Sequence, residues 1–367
     1  MDKDVRSAAH PTVHSIQYLR AVAALMVIFH HLIIQIDVYE EVLHSISVGA
    51  AGVDVFFVIS GFVIWFVTYN RHVPVGEFFV KRVIRVVPIY WLITLVIAVA
   101  AMVAPSLFKS TQFGMEQLVQ SLLFIPHYSL GLPGNVYPIL VPGWTLNYEM
   151  FFYLVFGCLL VVPRLIPQIL LLAFTVLVAT GLLLEPQNAI LKTYTSGLLL
   201  EFVAGVFIAK AYTDGHIQKL PAIVGLVLAI AGASGLWVTA QIEPFGAARA
   251  LYWGVPGLML VLGVVIMEAR GKMFKSRVLH LLGDASYSIY LTHILVLGVY
   301  RVIWSKIVVP EATALQMAAF IIGGLVVSTV GGLVFHFIIE KPVTKFLQKR
   351  LVRRKAKPQA VQQDATA

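Results

Sequence analysis

The chain has 367 residues, 59% of them hydrophobic and only 12% charged, with a mean hydropathy of +0.87 and a formal net charge of +9. A water-soluble domain cannot hide that much apolar surface, whereas a bilayer can, at about 20 apolar residues per crossing. The single cysteine, Cys158, lies in an apolar run and excludes a disulfide framework or a cysteine metal site within one chain, and HExxH, GxxxxGK(S/T), GxSxG and GxGxxG patterns are all missing.

Ten apolar runs are predicted to cross the membrane: 16–36, 48–69, 88–105, 144–162, 167–184, 194–212, 220–239, 249–267, 286–304 and 314–339. They predict an all-α, polytopic integral membrane protein of about ten transmembrane helices. Basic residues give the bundle a direction. Lys3, Arg6, Arg20, the 71–85 loop, Arg164, Lys210, Lys219, the 270–277 loop and the tail from 341 fall on one side. Only Lys109, Lys192, Arg249, Arg301 and Lys306 fall on the other. The positive-inside rule then puts both termini in the cytoplasm. A positive charge spread in this way speaks for membrane topology and against nucleic acid.

The first run does not read as a cleavable signal, because His30 and His31 interrupt it and no small-residue cleavage site follows. Among the 17 prolines, only Pro256 sits well inside a run. Residues 1–15 are expected to be a cytoplasmic N-terminal segment, 16–340 one transmembrane domain, and 341–367 a basic cytoplasmic tail. The 106–143 segment is the largest piece on the outer side, with Phe113–Phe124 suited to an interfacial helix.

A charge near the bilayer centre costs roughly 3 kcal/mol on insertion scales, so polar residues within the runs are informative. Arg20 lies near the cytoplasmic end of the first run, and His30 follows about 15 Å higher along the helix. Asp54 is predicted at the depth of His30 on the next, antiparallel helix. The pair has two readings: a general base with its orienting carboxylate, or a buried contact locking two helices. His31, adjacent to His30, points elsewhere. Ser60, a small residue in a span, reads as packing. Arg82 and Arg85, beside Lys81, share a helix face and suit a phosphate or pyrophosphate group; they equally suit a positive-inside anchor on anionic lipid. Trp144, Asn147 and Glu149 open the fourth run near the outer face, where an aromatic belt explains the rings but not the carboxylate. Glu201 in the sixth run is a further buried acid. Tyr287, Tyr290 and His293 follow in the ninth run, with His293 on the side of Tyr290. Gly324, Ser328 and Gly332 form a packing stripe.

The segments QYLRAVAALMVIFHH, GVDVFFVISGFVI, KRVIRVVPIYWL, PGWTLNYEMFFYLVF, LGDASYSIYLTH and FHFIIEKPV recur in order from residue 16 to about 345. Together they resemble the membrane-bound acyltransferase-3 family, in particular its bacterial exopolysaccharide (succinoglycan-type) O-acetyltransferase branch. The resemblance implies O-acylation, usually O-acetylation, of a sugar or cell-surface glycan from cytoplasmic acyl-CoA, by a multi-pass protein of the bacterial inner membrane. The family's essential arginine and histidine map onto Arg20 and His30, its Arg-x-x-Arg pair onto Arg82 and Arg85, and its Ser-Tyr-x-x-Tyr-x-x-His segment onto Ser286, Tyr287, Tyr290 and His293. Some relatives carry a fused esterase-like domain; here 27 residues follow Glu340, so the membrane domain is expected to meet the acceptor itself.

With these residues mapped, and with the carboxylates placed by their depth in the runs, His30, Asp54 and Glu149 are expected to be catalytic. Arg20, Lys81, Arg82, Arg85, Tyr290 and His293 bind the acyl-CoA donor, and Trp144, Asn147 and Glu201 bind the acceptor. In this scheme His30 removes the acceptor's hydroxyl proton or forms an acyl-histidine, with Asp54 fixing its tautomer. No metal and no permanently bound cofactor is expected; acetyl-CoA is a substrate. Expected partners are a glycan or lipid-linked sugar, membrane lipids, and a second copy or a polysaccharide-synthesis complex. The competing function is a proton-coupled transporter or exporter of a glycan or small solute, with His30, Asp54, Glu149 and Glu201 as relay, though the chain shows none of the internal duplication such proteins often have. A structural subunit would leave the buried charges unexplained.

Overall fold

The computed structural model describes residues 13–43, 46–71, 73–108, 111–239 and 247–352. Lys3, Arg6, Lys109 and the tail beyond 352 lie outside these residues. The described chain is all-α: α1 (His14–Ile33), α2 (Asp37–Leu43), α3 (Gly52–Thr68), α4 (Val75–Val103), α5 (Met115–Leu122), α6 (Trp144–Leu159), α7 (Ile166–Leu184), α8 (Ala189–Tyr194), α9 (Leu199–Thr213) and α10 (Ala222–Val238). Then follow α11 (Ala247–Arg249), a π-helical turn over Ala250–Gly254, α12 (Val255–Ala269), α13 (Arg277–Asp284), α14 (Ser286–Ile307), α15 (Ala314–Phe335), a second π-helical turn over His336–Glu340, and α16 (Lys341–Leu351). Among the described residues, 8 helical segments are long and apolar enough to cross a membrane. The other two expected spans are occupied by α6 and α10, which are shorter, at 16 and 17 residues. The molecule is a polytopic membrane protein.

Small residues bring the helices together, because lipid supplies no hydrophobic drive between them and close backbone contact must. A Cβ at Gly61 of α3 would overlap the Phe202 carbonyl of α9, and one at Gly205 of α9 would overlap the Val58 carbonyl of α3. A Cβ at Gly225 of α10 would come within 2.8 Å of the Gly263 carbonyl of α12. The expected stripe on α15 packs in the same way: Gly324 faces Leu32 of α1, and Gly332 faces Ile289 of α14. Polar ties close one end of the bundle. The Glu268 carboxylate accepts the first backbone N–H groups of α1, from His14 and Ser15, at 2.7 Å each, satisfying donors that a helix start leaves open. Trp65 reaches Thr213, and Arg270 reaches the Gln218 carbonyl. This end, where α1 begins and α3, α9 and α12 finish, is called the terminal face below.

Two elements depart from the expected spans. The third helix does not begin near 88: α4 runs unbroken for 29 residues with Pro88 inside it. Arg82 and Arg85 are therefore helical residues packed within the bundle, not members of a loop. The expected 194–212 span is interrupted at 195–198, between α8 and α9; Pro256 is thus not the sole site of irregularity. Pro256 itself lies in the first turn of α12, just after the π-helical turn, where its missing N–H is least costly. Within the expected 113–124 segment the chain is helical over Met115–Leu122, as α5.

Candidate active site

A cavity of about 140 Å³ opens between α1, α3, α4, α6 and α14. Arg20 enters from α1, Arg82 and Arg85 from α4, Glu149 and Tyr153 from α6, Ser60 from α3, and Tyr287 and Tyr290 from α14. Arg85 is ion-paired with Glu340 and lies over the Tyr287 ring at 5.3 Å. Glu340, just 1% exposed, also accepts from Ser288 Oγ at 2.5 Å and His336 Nδ1 at 2.8 Å. Arg82 stacks on Phe78 and Tyr153 at 5.7 and 5.8 Å, with its Nε buried and without a hydrogen-bond partner. Neither Arg20 nor Arg82 has an ion-pair partner among the described residues. Glu149 accepts from Ser60 Oγ at 2.9 Å and from the Tyr153 hydroxyl. Tyr290 lies 3.0 Å from Thr145 Oγ1 and donates to the Pro142 carbonyl at 2.9 Å. The cavity therefore holds three guanidiniums beside one carboxylate, with two of them uncommitted: an arrangement suited to an anion.

A second cluster lies nearer the opposite face. Asp54, fully buried, receives Arg249 Nε at 3.1 Å and Nη2 at 2.8 Å. Arg249 also donates to the Ala50 carbonyl at 3.2 Å and lies between the Trp144 ring at 5.6 Å and the Trp253 ring at 4.8 Å. Glu201 stands beside Asp54, both its oxygens buried without a hydrogen-bond partner. A Cβ at Gly254 would come within 2.6 Å of Glu201 Oε1, so a side chain there would displace the Glu201 carboxylate. His30 is within Coulombic reach of Arg249. Its ring meets that of His31 edge-on at 5.2 Å, and His31 meets His293 at 4.9 Å. His293 Nδ1 donates to the Tyr290 carbonyl at 2.5 Å, which leaves Nε2 to accept; it lies 3.3 Å from His31 Nδ1, which itself donates to the Val27 carbonyl at 2.9 Å.

The expected site residues are thus sorted differently from the expectation. Arg20, Arg82, Arg85, Glu149 and Tyr290 meet in the cavity. The His30–Asp54 pair is not formed: His30 packs against Gly49, more than a helical turn before Asp54, and Arg249 takes both carboxylate oxygens. Glu149 lies among the arginines and not at the outer level, because residue 149 is more than a helical turn inward from Trp144. Lys81 points away from the cavity, pairing with Glu77 at 2.6 Å on an exposed surface. His293 does not line the cavity; it is fully buried against His31. Asn147 is buried, with Oδ1 unpartnered, and Trp144 lines a separate hollow with Arg249.

Arg249, Glu340, Ser60 and Tyr153 escaped the sequence reading. Arg249 counted there as one more outer cation, and Glu340 as part of the entry to the tail. The one available signal for both was an ionisable residue within five positions of a span end. No metal-binding group of His, Cys, Asp and Glu occurs among the described residues.

A family model described as an acyltransferase domain matches residues 13–350. The exopolysaccharide production protein ExoZ of Rhizobium meliloti is 37% identical over 309 residues, covering 83% of this chain and 93% of that protein. The acyltransferase MdmB of Streptomyces mycarofaciens is 26% identical over 92% of both chains. The peptidoglycan O-acetyltransferase OatA of Listeria monocytogenes is 26% identical over 91% of this chain and 56% of its own. No solved structure matches.

Proposed function

The chain belongs to the acyltransferase-3 family, and from that premise we propose that it is an O-acetyltransferase carrying an acetyl group from cytoplasmic acetyl-CoA to a hydroxyl of an exopolysaccharide sugar. The observation that carries the donor half is the cavity in which Arg20 and Arg82 stand without ion-pair partners around Glu149. Acyl-CoA brings phosphates from the cytosol, which the positive-inside rule puts at the terminal face. The cavity is too small for a whole coenzyme and suits one part of it. Arg82, Arg20 and Arg85 hold anionic oxygen, with Arg85 aimed by Glu340, while the pantetheine arm runs past Tyr290 toward His30. The acceptor half rests on the name of the Rhizobium relative, an exopolysaccharide production protein.

His30 takes the proton of the acceptor hydroxyl as oxygen attacks the thioester carbon. The C–S bond then breaks and the proton passes to the leaving thiolate, giving ester and free coenzyme. Asp54 acts through Arg249: their bidentate pair fixes a guanidinium between two tryptophans within reach of His30, where it offsets negative charge on the tetrahedral oxygen. The buried carboxylates of Asp54 and Glu149 are already engaged, the first by Arg249 and the second by the Ser60 and Tyr153 hydroxyls, a more economical role than a transport relay. Location in the bacterial inner membrane with both termini inside is part of this proposal; the apolar helices and the one-sided basic residues support it.

The test is transfer by full-length protein in lipid nanodiscs supplied with labelled acetyl-CoA and exopolysaccharide. Label is expected in ester linkage, and Arg82→Ala is expected to raise the KM for acetyl-CoA by about tenfold or more, the loss of a charge-assisted contact. An unchanged donor KM contradicts the assignment.

A further inference from the structure

A larger hollow, of about 610 Å³, opens on the face away from the termini. It exists because the helix is broken at 195–198. Asn188 caps α8 by accepting from Ile190 and Leu191 backbone N–H groups at 3.0 and 3.2 Å, and the chain then turns before restarting as α9. Gly197 of the break sits against Ala250, so that a Cβ there would lie 3.3 Å from the Ala250 side chain. Glu185, at φ 41°, ends α7 in the left-handed region and turns the chain along the rim.

The walls differ in kind from those of the arginine cavity. Tyr137 and Trp144 present two rings with centroids 6.5 Å apart, tilted by 55°. Asn135, Thr195 and Ser196 add groups that both donate and accept. Arg249 lines the hollow, but its charge is already met by Asp54. Burial pushes the Tyr137 phenol above its ordinary value, partly offset by Arg249, so it remains a neutral donor and acceptor. Apolar faces beside paired donors and acceptors match the two surfaces of a sugar ring, and the volume is that of a ligand site. Arg249 is a wall of the hollow and donates to the Ala50 carbonyl at 3.2 Å, and the adjoining Gly49 packs on His30, where a Cβ would lie 2.8 Å from the His30 Cβ. A second hollow, of about 760 Å³, shares Gln187 with the first. The Tyr128 hydroxyl, donating to the Gln187 carbonyl at 2.7 Å, stands at their junction. His127 Nε2, buried and without a partner, belongs to a residue lining this second hollow.

We propose that these two hollows form one acceptor groove, taking a glycan chain of several sugars whose reactive hydroxyl is presented at Arg249 and His30. Acceptor recognition then lies in Tyr137, Ser196 and Gln187, which no expectation from the sequence includes. The groove selects a chain over a free monosaccharide. This rests on the acetyltransferase reading above. The test uses full-length protein in nanodiscs, labelled acetyl-CoA, and two probes: oligosaccharide fragments of the host exopolysaccharide stripped of acetyl groups by mild base, and free glucose. Tyr137→Ala and Ser196→Ala are each expected to raise the KM for the fragments, the first by about tenfold for a lost ring contact, with the KM for acetyl-CoA unchanged and Tyr137→Phe, which keeps the ring and loses the hydroxyl, falling between wild type and Tyr137→Ala. Glucose is expected to be a poor acceptor. Wild-type use of glucose as readily as of fragments overturns the proposal, as does an unchanged fragment KM in both variants. Acetyl-CoA binding without transfer to the fragments overturns the glycan assignment, whereas absence of acetyl-CoA binding strikes the donor reading.

Discussion

The arginine cavity and the outer Asp54–Arg249 cluster use the same side chains and treat charge in opposite ways. In the cavity, Arg20 and Arg82 keep cationic heads without an ion-pair partner among the described residues, whereas in the cluster Arg249 gives two N–H groups to Asp54 and lies near the rings of Trp144 and Trp253. A buried cation left uncommitted is costly unless something arrives to meet it. A committed one is a fixture that orients its neighbours. The inner level thus reads as a place for an incoming anion, and the outer level as a built frame beside which a hydroxyl is placed.

The comparison breaks first, and most visibly, at His30. His30→Ala is expected to lower transfer by about a hundred- to ten-thousand-fold while leaving acetyl-CoA bound as in wild type; loss of donor binding as well would merge the two levels into one. Next come the two arginines of α4, which share a helix face but not a circumstance. Glu340→Ala leaves Arg85 facing the cavity without its carboxylate and strands Ser288 and His336. Thermal unfolding in detergent is expected to show a loss of about 3 kcal/mol, the cost of breaking a buried pair. Arg82→Ala removes no ion pair and is expected to leave the melting temperature nearly unchanged while weakening the donor.

In the outer cluster, Asp54→Ala or Arg249→Ala alone is expected to destabilise more than the double substitution predicts by addition. The coupling is expected at about 1–3 kcal/mol, because each single change strands the other charge; additive effects would show the pair to be incidental. The smallest effect is expected at Lys81. Its salt bridge to Glu77 is exposed and worth about 0–1 kcal/mol, so Lys81→Ala should leave donor KM and stability within about twofold and 1 kcal/mol. A large rise in donor KM would extend the anion site out to the surface.

The chain order of the helices was readable because each crossing demands a long apolar run, and Arg20 because it is a charge inside such a run. Arg82 and Arg85 stood before the expected third run, where a lipid anchor explains them as well, and the family resemblance singled them out. Depth was less readable. Counting residues from the ends of two apolar runs put His30 and Asp54 at one level, but His30 packs against Gly49, five residues before Asp54. Run ends fix neither height to within a helical turn nor azimuth, and Arg249, from a helix distant in sequence, takes the partner assigned to His30. The break at 195–198 was hidden because Thr195, Ser196 and Gly197 interrupt hydropathy too briefly, and the sixth run stays apolar on both sides. Glu340 was hidden by the basic tail that follows it. Lys81 was assigned by sequence neighbourhood to Arg82, yet successive residues on a helix diverge by about 100°. His293 came with the family's segment; it shares the side of Tyr290 but sits nearly a turn farther along α14, where His31 covers it.

The division into two levels is tested most directly by equilibrium binding of labelled acetyl-CoA to full-length protein in nanodiscs. The account expects saturable binding by the wild type, by Tyr137→Ala and by Lys81→Ala, and its loss in the Arg20→Ala/Arg82→Ala double variant. Unchanged affinity in that double variant, with the protein folded, would contradict it.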